Sequence, residues 1–388
     1  MKTPLRGALI GYGFIMEKGH AAAYRQRMQG GWRGRVTSPE GDSDAADRDV
    51  RIVAVADVNQ ARRRLAAEHL PGVRVYADHV AMLDAEAGNL DFVDIATPPA
   101  EHAAVTREAL VRGLHVLCEK PLATSISDAR EMLELARHVG RVLYPCHNYK
   151  HAPVIQNVRR IIDAGEIGRV HLVTLQTFRN THARGVADWR PNWRRERRHS
   201  GGGIAMDHGS HTFYLAFEWL RSYPTAISAR MSTMGNFDTE DDLSCSLRFP
   251  TGVASAHLSW QAGVRKVIYT IHGDHGAIRV EDDHIEVASA NRGSNISSPE
   301  MAWRFERLDV PSDWMDSSHV TWFNSLFDDF QRAIAQREWV GKEAEEAFLC
   351  VELIQTAYAS AQDASRELPL GRQITETLPE LRKLRKHA

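Results

Sequence analysis

The stretch that most restricts the fold lies at the start of the chain. Leu5–Ile10 is a short apolar run that stops at Gly11, and Gly11-Tyr12-Gly13-Phe14-Ile15 then leads into a helical pattern through Ala21–Met28. A buried parallel strand, a glycine turn and a helix, in that order, make the context a dinucleotide site requires. The first glycine permits a tight turn. The second lets the backbone approach a pyrophosphate seated on the helix N-terminus. The third glycine of that fingerprint is missing, because Met16 holds its place. Two glycines alone are weak evidence, since many strand–turn–helix units carry them for steric reasons.

The alternation continues. Residues 29–49, rich in Gly, Ser and Asp, read as an inserted surface loop. Val50–Ala56 is a second buried strand ending at Asp57. An acid at that position bonds the adenosine ribose, usually about twenty residues beyond the glycines. Here the spacing is more than twice that, and the inserted loop accounts for the excess. The bland alternative is that Asp57 caps the helix starting near Asn59. A carboxylate there repels a 2′-phosphate, which favours NAD over NADP, while Arg62 to Arg64 keep NADP as the lesser option. Strands at Val73–Tyr76, Phe92–Ala96, His115–Cys118 and Arg141–Pro145 alternate with helices at Val80–Ala85, Glu101–Arg112 and Ser127–Val139, the last with Ser127 as its cap. This βαβα order means a doubly wound parallel sheet with ligands at the carboxyl ends of its strands.

Composition supports a soluble globular protein of two or three domains. The chain has 388 residues, 43% hydrophobic and 25% charged, with a net charge of −2. Such a balance argues against a nucleic-acid or membrane-surface binder, and no apolar run is long enough to cross a bilayer. Four scattered cysteines without a CxxC pair fit a reducing, cytoplasmic setting. The first sixteen residues do not read as a signal peptide, because glycines break the apolar stretch and no small-residue cleavage pattern follows. Only eight of the 48 basic residues are Lys, so each lysine in an apolar setting is informative.

At Val116-Leu117-Cys118-Glu119-Lys120-Pro121 the chain resembles the glucose–fructose oxidoreductase / inositol dehydrogenase / rhizopine-catabolism (Gfo/Idh/MocA) family. Five pieces match in order: Gly11–Ile15, Asp57, Ala96-Thr97-Pro98 with His102, Cys118–Pro121, and Gly201-Gly202-Gly203 followed by Asp207 and His211. Phe323–Ala361 is similar to the family's closing helices. The departures are Met16, the 29–49 insertion, and Asn148-Tyr149-Lys150 where many members carry an Arg. The resemblance implies an α/β fold: a Rossmann domain at residues 1–148, then a substrate-binding and oligomerisation domain at 149–388 with a large, mostly antiparallel open sheet. It further implies an NAD-dependent oxidoreductase. The expected cofactor contacts are Gly11, Tyr12, Gly13, Phe14, Ile15, Asp57, Thr97, Pro98, His102, Glu119, Lys120 and Asn148.

In the second half, Val170–Phe178, Ala226–Met234, Leu243–Phe249, Val253–Trp260 and Lys266–His272 alternate as half-buried strands separated by turns. Residues 236–242 and 289–302 read as loops. A sheet of this kind needs its second face covered, and a partner subunit, making a homodimer or homotetramer, would do so as the resemblance implies. Asp207 and His211, four apart, share one helical face. An Asp beside a His raises its basicity and fixes its tautomer. His211 then removes a hydroxyl proton, with Lys120 as acid or alkoxide stabiliser. Without the resemblance, such a pair reads first as a solvated structural one.

The expected substrate contacts are Lys120, Tyr149, Trp189, Arg190, Asp207, His208 and His211. Arg190 to Arg198 is the most basic stretch. It reads either as a solvated loop or as a lid whose Arg forks take a phosphate or carboxylate. His182, His199, Asp207, His208 and His211 lack a tight metal-ligand pair, and Gly273–Gly276 is turn chemistry, so no metal is expected. The function indicated is hydride transfer between nicotinamide and a secondary alcohol of a sugar, cyclitol or related polyol, neutral or anionic. Two rivals stay open: an NAD-assisted lyase or glycosidase with transient oxidation, and a non-catalytic NAD-binding sensor.

Overall fold

The computed structural model describes residues 4–32, 49–290, 303–312, 314 and 316–371. Most of the 29–49 insertion, and residues 291–302 of the second expected loop, lie outside them. The first sheet is built from β1 (Leu5–Ile10), β2 (Val50–Ala56), β3 (Arg74–Tyr76), β4 (Phe92–Ile95), β5 (His115–Cys118) and β6 (Leu143–Pro145), in the order β3-β2-β1-β4-β5-β6. Every pairing is parallel. The strand order reverses between β1 and β4, and a crevice opens there at the carboxyl ends. β4 is buried at every position, as a strand covered by helices on both faces must be.

Gly11 shows why the turn after β1 is glycine. Its φ is +83°, and a Cβ would stand 2.9 Å from the Ala96 carbonyl oxygen. Met16, in the place of the third glycine, is fully buried among Leu9, Tyr12 and Tyr24. It opens a π-helical turn, Met16–His20, which absorbs the bulk by changing the helical register. Ser125, and not Ser127, caps the helix Ile126–Val139, accepting from the Asp128 N–H at 3.1 Å.

The second sheet comprises β7 (Val170–Phe178), β8 (Ala226–Ser232), β9 (Asp242–Phe249), β10 (Gly252–Ser259), β11 (Lys266–Gly273), β12 (Gly276–Glu281), β13 (His284–Ala290), β14 (Trp303–Asp309) and β15 (Leu368–Pro369). Its order is β14-β13-β12-β11-β7-β10-β9-β8-β15, antiparallel except for β7 with β10. β12 to β14 were not among the expected strands, although Ile278 and Val280 in β12 and Ile285 and Val287 in β13 alternate with polar residues. The inner face packs on helices Pro153–Asp163 and Ile204–Leu220. The outer face carries Thr174, Gln176, Ser246, Ser255 and His257, so a single helical layer already covers the apolar alternation. Helix Lys342–Gln362 divides its apolar residues between the two cores: Ala344, Phe348 and Val351 join the first sheet, and Leu349, Leu353 and Ile354 the second.

Candidate active site

A cavity of about 850 Å³ lies between the two sheets. Its first-domain wall is made by the strand ends: Gly11, Gly13, Phe14 and Ile15 after β1, Asp57 after β2, Thr97 and Pro98 after β4, and Glu119 and Lys120 after β5. Asn148 and Tyr149 follow β6. Trp189, Asp207, His208 and His211 close it from the second domain. Of the residues expected at the site, all but three line this cavity.

Those three are corrections. Tyr12 turns its ring into the core, where the hydroxyl meets His69 Nδ1 at 3.2 Å; only its backbone N–H serves the site, donating to Asp57 at 2.6 Å. His102 is fully buried behind the wall. Its Nδ1 lies 2.8 Å from the Pro121 carbonyl and its Nε2 2.9 Å from that of Thr97. It therefore fixes two strand-end turns relative to one another. Arg190 pairs with Glu196 at 3.3 Å, outside the cavity.

At the adenosine end the wall suits NAD. A Cβ on Gly13 would meet nothing within 4 Å, so its missing side chain leaves room for a ligand. No side chain caps the helix start that follows, which leaves backbone N–H groups for a pyrophosphate. Asp57 accepts from Tyr12 N–H and, at 2.7 Å, from Asn59 N–H, and each oxygen keeps a lone pair for a ribose hydroxyl. Burial pushes its carboxyl up, against the two backbone bonds. Asn59, with its side chain on Ala61 N–H, is the helix cap. Arg62 is buried, bonded to the Tyr12 carbonyl at 2.7 Å and to Glu17. Arg63 bonds the carbonyls of Asp57 and Val58. Neither guanidinium is presented whole to a 2′-phosphate.

Below the opposite end lies an ion network that the sequence did not reveal. His20, on the π-turn, holds Asp94 at 2.7 Å through Nδ1 and Glu119 at 3.0 Å through Nε2. Burial lowers the imidazole pKa, but the two carboxylates more than offset this and raise it to about 10. His20 is therefore an imidazolium, and Glu119 is held as a carboxylate below its ordinary range despite its own burial. The second Glu119 oxygen accepts the Lys120 N–H at 3.0 Å.

The expected catalytic group assembles with different partners. Lys120 Nζ donates to the Asp207 carbonyl at 2.6 Å and meets its carboxylate at 3.2 Å. Arg194 also reaches that carboxylate at 3.3 Å. Burial raises the Asp207 carboxyl, but Lys120, Arg194 and His208 together hold it well below the usual range. His211 does not bond Asp207. Its Nδ1 lies 2.6 Å from the Tyr214 hydroxyl, and its ring stacks on Tyr149 at 3.8 Å and 8°. Its basicity is lowered rather than raised: burial, then Lys120 and His208, push the pKa well below the ordinary imidazole value. Burial likewise takes His208 down to about 4, with Asp207 opposing. Both imidazoles are neutral at neutral pH.

The local sequence explains these placements. A Cβ on Gly203 would stand 1.9 Å from the Glu240 carbonyl oxygen, so glycine lets residue 240 approach the helix start. Glu240 then caps helix Ile204–Leu220 by accepting from Gly203 and Ala205 N–H at 2.8 and 3.0 Å. The Arg-rich stretch is largely engaged inside the protein: Arg190 and Arg198 with Glu196, Arg195 with Asp241, Arg197 with Glu240. These intramolecular pairs favour the loop reading of residues 190–198 over forks for a substrate anion, with Arg194 the arginine of the stretch that lines the cavity. What does form a cover is the segment before it. Residues 180–186 line the cavity, and the Asp188 carbonyl accepts from Asn59 Nδ2 at 2.5 Å, so the strap crosses from one domain to the other.

Comparison with known proteins places this geometry among dehydrogenases. Residues 5–147 match the oxidoreductase family with an NAD-binding Rossmann fold (GFO_IDH_MocA), and residues 155–279 match the GFO/IDH/MocA C-terminal domain. The chain is 30% identical over 308 residues to D-apiose dehydrogenase of Paraburkholderia graminis, covering 77% of this chain and 74% of that one. It is 28% identical over 274 residues to inositol 2-dehydrogenase of Rhizobium meliloti, covering 66% and 77%. Levoglucosan dehydrogenase in complex with NADH and levoglucosan has the same fold, with a TM-score of 0.76 at 22% identity over 95% of this chain and 100% of that one.

Proposed function

We propose, from the premise that this chain belongs to the GFO/IDH/MocA family of NAD-binding oxidoreductases, that it oxidises a secondary alcohol of a sugar, cyclitol or related polyol. The observation that carries this reading is the convergence of Lys120, Asp207 and His211 at one end of a cavity whose other end is the Gly11–Ile15 turn and Asp57. Bound NAD supplies the acceptor for the hydride that leaves the carbinol carbon. Asp57 orients the adenosine ribose, and the Glu119 carboxylate, fixed by His20, orients the second ribose. Thr97, Pro98 and Asn148 shape the nicotinamide pocket.

His211 takes the hydroxyl proton at Nε2. This requires the tautomer that carries its proton on Nδ1 and donates it to the Tyr214 oxygen. The lowered pKa keeps that base unprotonated in neutral solution. Lys120, held by Asp207, stabilises the negative charge that develops on the substrate oxygen. Tyr149 holds the imidazole plane from one side. Trp189, with the strap at 180–186, covers the cofactor and limits water.

Names of relatives support the substrate class, since they act on apiose, inositol and glucosides. The two rival readings, a lyase and a sensor, have no observation in their favour. We infer a homodimer or homotetramer whose interface is the polar outer face of the second sheet, around Thr174, Gln176 and His257, and a cytoplasmic setting consistent with four buried free thiols. Among the described residues no helix is long and apolar enough to cross a membrane. The test is to identify any nucleotide that copurifies and to screen polyols, cyclitols and their acids and phosphates for NADH formation. A panel on which no member reduces NAD, tested with enzyme shown to bind it, defeats the reading.

A further inference from the structure

The chain leaves β7 after Phe178, crosses the cavity, and returns to the second domain by residue 195. Both feet of that excursion are fixed in the second domain. The Arg179 N–H donates to the Ser259 carbonyl at 2.8 Å, and the Arg179 carbonyl accepts from the Ala262 N–H at 3.0 Å. At the other foot Arg195 is buried, paired with Asp241 at 2.5 Å, and its guanidinium lies over the Trp260 ring.

Between the feet the strap is folded on itself. The Gly185 N–H donates to the Pro191 carbonyl at 2.7 Å, and a Cβ on Gly185 would stand 2.8 Å from the Trp193 ring. Arg194 bonds the Ala183 carbonyl at 3.2 Å and meets Asp207 at 3.3 Å. Such bracing favours a swing of the whole strap about its feet over the fraying of single residues. Residues 180–186 and Trp189 line the cavity, so the strap roofs it from the reacting groups to the adenosine turn.

Among the described residues one hydrogen bond joins the tip of the strap to the first domain, from Asn59 Nδ2 to the Asp188 carbonyl at 2.5 Å. The turn after β2 aims that amide. The Asn59 N–H donates to Asp57 at 2.7 Å, and Asn59 Oδ1 caps helix Gln60–His69 by accepting from the Ala61 and Arg62 N–H groups at 2.7 and 3.3 Å. The cap uses the oxygen alone, and Ser or Asp would supply it equally. Only Asn adds an amide donor, and that donor holds the strap. Asn59 itself does not line the cavity, so it reaches a bound cofactor through the strap.

We propose that Asn59 is a latch that closes the second-domain strap over NAD, so that entry and release of the cofactor wait on the opening of the Asn59–Asp188 bond. Asn59 is a positioning residue here and acts through residues 180–189. The assignment rests on NAD binding and not on which polyol is oxidised. Its test needs no turnover, so its failure leaves the dehydrogenase reading as it stood, and an empty polyol screen leaves the latch measurable.

The test uses Asn59→Asp and Asn59→Ser. Both keep a capping oxygen and lose the amide donor, so both melting temperatures should match the wild type's. Stopped-flow mixing follows NADH entry, and its displacement by excess NAD, through energy transfer from tryptophan to the reduced nicotinamide. A gate sets the rate of passage in both directions, whereas a contact with the bound cofactor sets release alone. Each variant should raise the association and release rates together by about 3- to 10-fold, the effect of losing one hydrogen bond, with the dissociation constant for NADH unchanged.

The proposal falls if neither rate changes in folded variants. It also falls if release alone accelerates and affinity drops, which would make Asn59 a direct cofactor contact. An effect of Asn59→Asp that Asn59→Ser does not share overturns it as well, because it would belong to the added charge beside Asp57.

Discussion

Replacing His20 by Gln tests the ion network beneath the site. In the wild type a buried imidazolium holds two buried carboxylates at 2.7 and 3.0 Å. Gln is neutral and can donate to one of them only. Removing one partner of a buried ion pair costs about 3–5 kcal/mol, and the remaining bond returns about 1 kcal/mol. A net loss of about 3 kcal/mol follows. With an unfolding entropy of about 2.1 cal/mol/K per residue, that is a fall of roughly 4 °C in melting temperature for a chain this long.

The pH dependence carries a sign. The folded pKa of His20 is raised to about 10 from an ordinary 6.5. Its stabilisation is therefore complete below pH 6.5 and is lost as pH rises toward 10. The wild type should lead the variant by the full margin at pH 6, and by little at pH 10. The measurement is thermal unfolding by circular dichroism at both values. A margin that is absent at pH 6, or equal at the two pH values, would show that His20 is not a buried imidazolium.

The His211–Tyr214 pair and Asp57 set the further outcomes. The acid limb of the kcat/KM profile should lie below the ordinary histidine range, because His211 is pushed down; His211→Ala should cut turnover by on the order of 10²–10⁴, and Tyr214→Phe should lower kcat with the NAD affinity unchanged. Asp57→Ala should weaken NAD binding by about 1–3 kcal/mol and narrow the preference over NADPH, as read by nucleotide fluorescence titration; tighter NADPH binding by the wild type would overturn the role given to this acid.

Much of the framework was legible because it is written in local patterns. The first sheet's strands are short apolar runs ended by glycine or an acid, and their alternation with helices admits one layer order. β14 was not legible because its residues Trp303–Asp309 are mostly exposed and show no apolar alternation. The π-turn was hidden because one helical register looks like another until Met16 and Gly19 meet their neighbours, the latter against Phe323. For Asp207 and His211 the four-residue spacing correctly set both on the cavity side of one helix. It could not say that Lys120, from another domain, engages the acid while Tyr214, three residues on, meets the imidazole. His20 went unread for the same reason: its partner Asp94 lies 74 residues away in sequence.

The proposed reaction oxidises a carbinol carbon and passes its hydride to NAD as net turnover. The most direct measurement uses a polyol that scores in the screen, deuterated at the oxidised carbon, with product and reduced cofactor quantified together. One NADH per ketone, with the deuterium on the nicotinamide ring, is the result expected of a dehydrogenase. Consumption of the substrate with elimination or bond cleavage, and no accumulation of NADH, would contradict it.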